Sequence, residues 1–324
     1  MRKSISNKFV LFTCMFVLVC GLLVACGNTD EQKNNESKQE EKTSNDTFPL
    51  TVTDDAGNEV TIEAKPEKIV SLLPSTTETL FALGLDEEIV GVSDFDNYPE
   101  AALDKEKVGG IEINVEKVIS LQPDVLFVQQ THADNYGDVI AQLEGLGIAV
   151  LVVNTEESFE DAYESIKLLA KVTGTSEKGT KMVQNMKDEL EAIQEKAKAV
   201  TEKKRVWVEV SAPPELYTAG NGTFINEMLE LIGAENIVAS KDGWFTISEE
   251  EVVKLNPDVV IITYGEYEED APGDALSRPG WQEVAAVKNK QVYEVNGDSV
   301  TRPGPRLVMG VEELAKAIYP DVFQ

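Results

Sequence analysis

Residues 114–128 read "NVEKVISLQPDVLFV", and residues 248–262 read "SEEEVVKLNPDVVII". At a constant offset of 134 positions Glu, Val, Leu, Pro, Asp and Val coincide. Other pairs, such as Ile119 with Val253 and Phe127 with Ile261, exchange one apolar side chain for another. Each copy opens on a helix-capping residue, Asn114 or Ser248, and closes on Pro-Asp ahead of an apolar run. The pattern is that of a short helix, a turn and a buried strand. Glu116 and Glu250 fall in the first turn of each helix, where the dipole favours a carboxylate by roughly a few tenths of a kcal/mol.

Outward from this doubled unit, both halves repeat one grammar. The first runs through strands "KIVSLLP", "EIVGVSDF", "DVLFVQQ" and "IAVLVVN", with helices "STTETLFALGL" and "NYGDVIAQLEGLG" among them. In "STTETLFALGL", Ser75 and Glu78 have the spacing of a capping box. The second half offers strands "RVWVEVS", "DVVIITYG" and "QVYEVN", the helix "GTFINEMLELIG" and a terminal helix "PGPRLVMGVEELAKAIY". "TLFALGLDEEIVG" in the first half answers "EMLELIGAENIVA" in the second. Apolar strands without polar alternation, each followed by a helix, predict parallel sheets covered on both faces. A hairpin over "PLTVTDDAGNEVTIEAKP" precedes the first lobe.

Between the halves, Met182, Met186, Leu190, Ile193, Ala197 and Val200 recur every three or four residues. That stripe predicts one long helix over 176–202, spanning ~40 Å. The expected fold class is α/β, two Rossmann-like lobes with mainly parallel sheets joined by one long helix. The N-terminal lobe is placed at 48–156, the linking helical region at 157–203 and the C-terminal lobe at 204–324. If the lobes are related by a pseudo-two-fold, Glu116 and Glu250 form a two-pronged anionic plug for a symmetric partner.

The start of the chain addresses compartment. Arg2, Lys3 and Lys8 precede the apolar run "FVLFTCMFVLVCGLLVA", the signature of a secretory leader at 1–25. The leader ends in "LVAC", which resembles a bacterial lipobox and implies cleavage before Cys26 and lipidation of its sulfur. Residues 26–47 carry almost no large apolar side chain and read as a disordered tether. The expectation is a body held by lipid at the extracytoplasmic face of the cell membrane. Cys14 and Cys20 leave with the leader, so no cysteine is available as nucleophile or metal ligand. His132 is the only histidine, which excludes a metal centre built on several imidazoles. A formal charge of −29 argues against nucleic acid as a partner.

Ligands of parallel sheets gather at the carboxyl ends of strands. Candidates there are Ser75 in "PSTTE", Phe95 and Tyr98 in "SDFDNYP", and Gln129 and Gln130 beside His132. The second half adds Tyr217 in "LYTAG", Trp244 and Phe245 in "DGWFT", Tyr264 in "ITYG" and Arg302 in "RPGPR". Arg306, Trp207 and Trp281 suit structural roles better. Aromatic faces with a few polar groups suit a large, partly apolar ligand.

The order "TVTDDAGNEV", "KPEKIVSLLPSTTETLFALGL", "VGVSDFDNYP", "EKVISLQPDVLFV", then "YTAGNGTFINEMLELIGAENI", "ISEEEVVKLNPDVVII" and "RPGPRLVMGVEELAKAI" resembles a known family. It is similar to the substrate-binding lipoproteins of cobalamin and ferric-siderophore ABC importers over roughly residues 50–320. The resemblance implies two lobes on a single rigid helix, a ligand in the cleft, and one glutamate per lobe meeting arginines on a permease dimer served by a cytoplasmic ATPase. Carried over by motif, those glutamates are Glu116 and Glu250, the latter chosen by register from Pro123 and Pro257. No resident cofactor is expected, and the protein is expected to be a monomer. The ligand implied is a cobalt corrinoid ahead of a ferric siderophore, with haem third; Ile111 and Gln129 stand where aromatics are expected in the cobalamin branch. An enzyme is not expected, since no GxSxG, Walker loop or nucleophilic cysteine is present. A surface adhesin or sensor subunit is the alternative from another class.

Overall fold

The computed structural model describes residues 46–153 and 157–324. The expected leader, Cys26 and the tether through residue 45 lie outside the described residues. A short antiparallel hairpin, β1 (Leu50–Thr53) and β2 (Glu59–Ile62), comes first. Asp54 ties it to the body: one carboxylate oxygen accepts from Asn58 N at 2.8 Å and the other from Val152 N at 3.0 Å.

The first lobe alternates β3 (Ile69–Ser71), α1 (Pro74–Ala82), β4 (Ile89–Val92), β5 (Glu106–Lys107), α2 (Val115–Leu121), β6 (Val125–Gln129), α3 (Gln130–Asn135), α4 (Gly137–Glu144) and β7 (Ala149–Val153). Its five strands lie in the order β5-β4-β3-β6-β7, all parallel. Two helices follow, α5 (Phe159–Val172) and α6 (Ser176–Ala197). The second lobe contains β8 (Arg205–Glu209), β9 (Leu216–Ala219), α7 (Phe224–Leu231), β10 (Glu235–Asn236), β11 (Trp244–Ile247), α8 (Glu249–Leu255), β12 (Val259–Ile262), α9 (Ala271–Ser277), α10 (Ala285–Lys288), β13 (Val292–Glu294), α11 (Gly297–Thr301) and α12 (Leu307–Ile318). Its sheet runs β10-β8-β12-β13, again all parallel, with β9 and β11 forming a separate antiparallel pair. The sheets have the two-lobe parallel character expected from the sequence.

The doubled unit is built twice by the same bonds. Asn114 caps α2 by accepting from Lys117 N, and Ser248 caps α8 by accepting from Glu251 N. Both helices end in a left-handed residue, Gln122 at φ 52° and Asn256 at φ 48°. That conformation turns the chain, and the next residue, Pro123 or Pro257, cannot prolong the helix. The aspartate then pins the start of the neighbouring strand. Asp124 accepts from Glu67 N at 2.8 Å and Lys68 N at 2.9 Å, just ahead of β3. Asp258 accepts from Arg205 N at 2.9 Å, at the start of β8. Pro-Asp recurs because each half needs one carboxylate to register its two central strands.

The long helix joins the two cores. Val183, Met186, Leu190, Ile193 and Ala197 belong to the second lobe's core, while Met182 also packs on the first. The predicted helix to residue 202 stops at Ala197, because Lys198, Ala199 and Val200 close tighter turns back to Glu195, Lys196 and Ala197. At 22 residues it spans ~33 Å. Antiparallel to it, α5 places Phe159, Ala162, Tyr163 and Ile166 in the second core and Leu169, Ala170 and Val172 in the first. The junction is a helical hairpin, and its tightest point is glycine: a Cβ on Gly179 would stand 2.4 Å from the Cβ of Ala170. Gly179→Val should therefore lower stability by about 1–3 kcal/mol through overpacking. Chemical denaturation with an unchanged midpoint would contradict this packing.

Candidate functional site

Parallel strands bring their carboxyl ends to one edge of each sheet, and the loops leaving those ends meet between the lobes. After β3, α1 begins at Pro74 with Leu73 as N-cap and no side-chain cap. The capping box expected from Ser75 and Glu78 is not formed, because the helix starts two residues earlier, on proline, whose fixed φ suits the first helical position. Ser75 is buried. Glu78, only 3% exposed, turns instead toward the other lobe.

There it meets two guanidinium groups. Arg306 donates from Nε to Glu78 Oε2 at 2.7 Å and from Nη2 to Oε1 at 2.6 Å, a bidentate pair. Arg302 Nη1 donates to Glu78 Oε1 at 3.2 Å and to Asn97 Oδ1 at 2.6 Å, and its Nη2 lies 2.9 Å from Asp298 Oδ1. Asn97 Nδ2 donates to Asp298 Oδ2 at 2.9 Å, and the Arg306 guanidinium sits 4.2 Å from the Tyr98 ring centroid. Burial alone would lower the Arg306 pKa, but the bonds and charge of Glu78, with Asp298, hold it above the ordinary arginine value. Two cations and two carboxylates thus form one neutral clasp across the lobes.

The loop after β4 is shaped by Asp96, which accepts from Ser93 N at 2.7 Å and Ser93 Oγ at 2.6 Å. Burial pushes the Asp96 pKa up, against the opposing pull of these bonds and of Lys107. The loop exposes Phe95 and Tyr98. Phe95 lies over Gly110, where an added Cβ would come within 2.7 Å of the ring. His132 Nε2 is 2.9 Å from Gly110 O, and its Nδ1 accepts from Gln129 N at 3.2 Å, which places the ring proton on Nε2. Phe95, Gly110, His132 and Gln129 are therefore one lip. Gln130 instead donates to Asp134 within its own helix.

In the second lobe, Trp244 stacks on Tyr217 (centroids 5.9 Å apart, planes 16°) and meets Phe224 at 5.5 Å. Trp244 belongs to β11, and pairing with β9 brings it beside Tyr217. Phe245 lies under Lys241 at 4.9 Å. Tyr264 is almost fully buried, its hydroxyl donating to Glu209 Oε1 at 2.5 Å. Burial first, then the Glu209 charge, raises its pKa. Glu209 also accepts from Trp207 Nε1 and from both terminal nitrogens of Arg278. Arg278 lies over Trp281, and Trp281 Nε1 donates to Glu249 at 3.1 Å.

At the start of α8, Glu249 is thus engaged by Trp281, and Glu251 by Ser248 and Lys241. Glu250 is exposed, as is Glu116 at the start of α2. Among the described residues neither has a hydrogen-bond or ion-pair partner. Also among them, no cluster of three or more His, Cys, Asp or Glu side chains could hold a metal ion, and no helix is long and apolar enough to cross a membrane. Sequence reasoning missed Glu78, Asn97 and Asp298. The available signal was Glu78 itself, the lone charge in "PSTTETLFA", since a carboxylate on an otherwise uncharged buried helix requires a partner.

The periplasmic binding protein family model matches residues 69–298. An uncharacterized ABC transporter substrate-binding lipoprotein of Bacillus subtilis is 44% identical over 311 residues, covering 95% of this chain and 96% of the relative. A Staphylococcus epidermidis structure described as a possible iron-binding, periplasmic solute-binding protein is 34% identical, with TM-score 0.71, covering 79% of this chain and 100% of that one. The periplasmic vitamin B12 binding protein of Vibrio cholerae is 26% identical, with TM-score 0.64, covering 80% and 99% respectively.

Removing one arm of the clasp leaves charge buried without its partner. Arg306→Ala should destabilise the protein by about 3 kcal/mol. Thermal or urea unfolding that matches the parent would show the clasp to be energetically idle.

Proposed function

Because the chain belongs to the periplasmic binding protein family, and is a substrate-binding protein rather than an enzyme, we propose that it captures a cobalamin-type corrinoid between its lobes and delivers it to the permease dimer of an ABC importer. The observation that carries delivery is the doubled unit. Two helices with the same cap, the same left-handed exit and the same strand-pinning aspartate each raise one exposed, unpaired glutamate at the same position. Local structure accounts for the other acids around Glu250, which leaves it for a partner. Rim charges of this kind set orientation and association rate more than affinity. Lipidation at Cys26 would keep the protein, as a monomer, beside that permease and its ATPase at the extracytoplasmic face.

For the ligand, Phe95, Tyr98 and the Tyr217–Trp244 stack offer aromatic faces to a flat macrocycle, and Gln129 offers an amide for its amide side chains. Ser75, Gln130 and Phe245 complete the proposed binding set; Tyr264, held by Glu209, and Arg302, held by Glu78, Asn97 and Asp298, support it without offering a free group. A ferric siderophore is the second reading, favoured by the likeness to the S. epidermidis protein. Calorimetric titration of the full folded body with cyanocobalamin, hemin and a ferric siderophore panel separates them; saturable binding of cyanocobalamin alone is expected. In cells, Glu116→Arg with Glu250→Arg should abolish uptake while ligand binding persists. Normal uptake by that double variant would remove the docking assignment.

A further inference from the structure

We infer that Glu78 is a specificity-determining residue: it withholds both arginines of the lobe junction from anionic ligands. The inference rests on the cleft-binding reading above and deepens it by fixing the charge class of the ligand.

The starting point is what this corner would be without Glu78. The first turn of α1 lacks a side-chain cap and any acid, so its N–H groups carry the positive end of the helix dipole. The segment after α11 lies directly on that turn, since a Cβ on Gly304 would stand 3.5 Å from Ser75 O. It brings Arg302 and Arg306 to the same place. An uncapped helix start beside two guanidinium groups is the recipe for holding carboxylates, phosphates or catecholate oxygens.

Glu78 cancels it. Its two oxygens take three of the guanidinium donor bonds, at 2.6, 2.7 and 3.2 Å. Asp298 takes another from Arg302 and stands 3.6 Å from Arg306. The side chains of Glu78, Asp298, Arg306 and Arg302 are only 2%, 10%, 11% and 15% exposed, so their mutual screening by solvent is weak. A neutral cluster presents no net charge to an incoming anion, whereas each uncompensated charge at this depth would act strongly. Stability does not explain the arrangement, because a buried ion pair can often be replaced by apolar side chains without loss. Selection by charge does: an anionic chelate finds its natural counter-ions already occupied, while a neutral macrocycle loses nothing.

The test uses the full protein lacking only its leader, with cyanocobalamin as the neutral probe and a trianionic ferric tris-catecholate as the anionic one. Glu78→Gln keeps an acceptor for Arg306 but leaves the cluster with one excess positive charge; Asp298→Asn does the same from the other lobe. Both should bind the tris-catecholate about tenfold more tightly than the parent at low ionic strength, with the gain shrinking as salt is added. Adding Arg302→Gln to Glu78→Gln should erase the gain. Folded variants, verified by circular dichroism, that show no gain in anion affinity would overturn the inference, as would a gain insensitive to salt or to loss of Arg302. Failure of the parent to bind cyanocobalamin, with the anion gain intact, would instead refute the corrinoid reading and leave the role of Glu78 standing.

Discussion

A carboxylate buried in a helix must find positive partners, and Glu78 finds them in the opposite lobe. The constraint reaches far along the chain. α1 has to present that side chain beside β4's outgoing loop, so that Asn97 and Tyr98 complete the surround. The segment 297–306 has to lie across α1 closely enough that Gly304 rests on Ser75. Either lobe alone would strand charge: Glu78 without cations on one side, and on the other Arg306 with only Asp298 nearby. The clasp ties the two lobes together through side chains of the chain itself.

A second network, confined to the C-terminal lobe, connects its interior to its surface. Glu209 collects Trp207, Tyr264 and Arg278 in a fully buried site. Arg278 then covers Trp281, which holds Glu249 at the start of α8. Among the described residues the N-terminal unit has no matching chain: α2 is fixed by Asn114 and by the Lys117–Glu106 ion pair on the surface. The two halves therefore share a backbone plan while anchoring their exposed glutamates differently, one from the core and one from the rim.

The repeated Pro-Asp unit was legible because everything it does is local or involves the adjacent strand: cap, left-handed exit, apolar strand. The parallel sheets were legible for the same reason, since uninterrupted runs such as "VLFV" and "VVII" leave no polar face. Glu78 was misread because Ser75 stands three residues before it, a spacing that mimics a cap, while its true partners lie more than two hundred residues away. Tyr264 and Trp244 show the same limit. Their positions at strand ends could be read, but Tyr264's descent onto Glu209 and Trp244's stacking on Tyr217 depend on neighbours that only folding supplies.

The paired crossing helices α5 and α6 carry one more implication. Each runs from one core to the other, and they touch so closely at Gly179 and Ala170 that neither can slide without the other. Flexing such a pair means stretching backbone hydrogen bonds on its convex side, a restoring force that grows with angle. Two helices joined this way bend as one body, so a load on either core is carried to the other through the contact of Gly179 with Ala170.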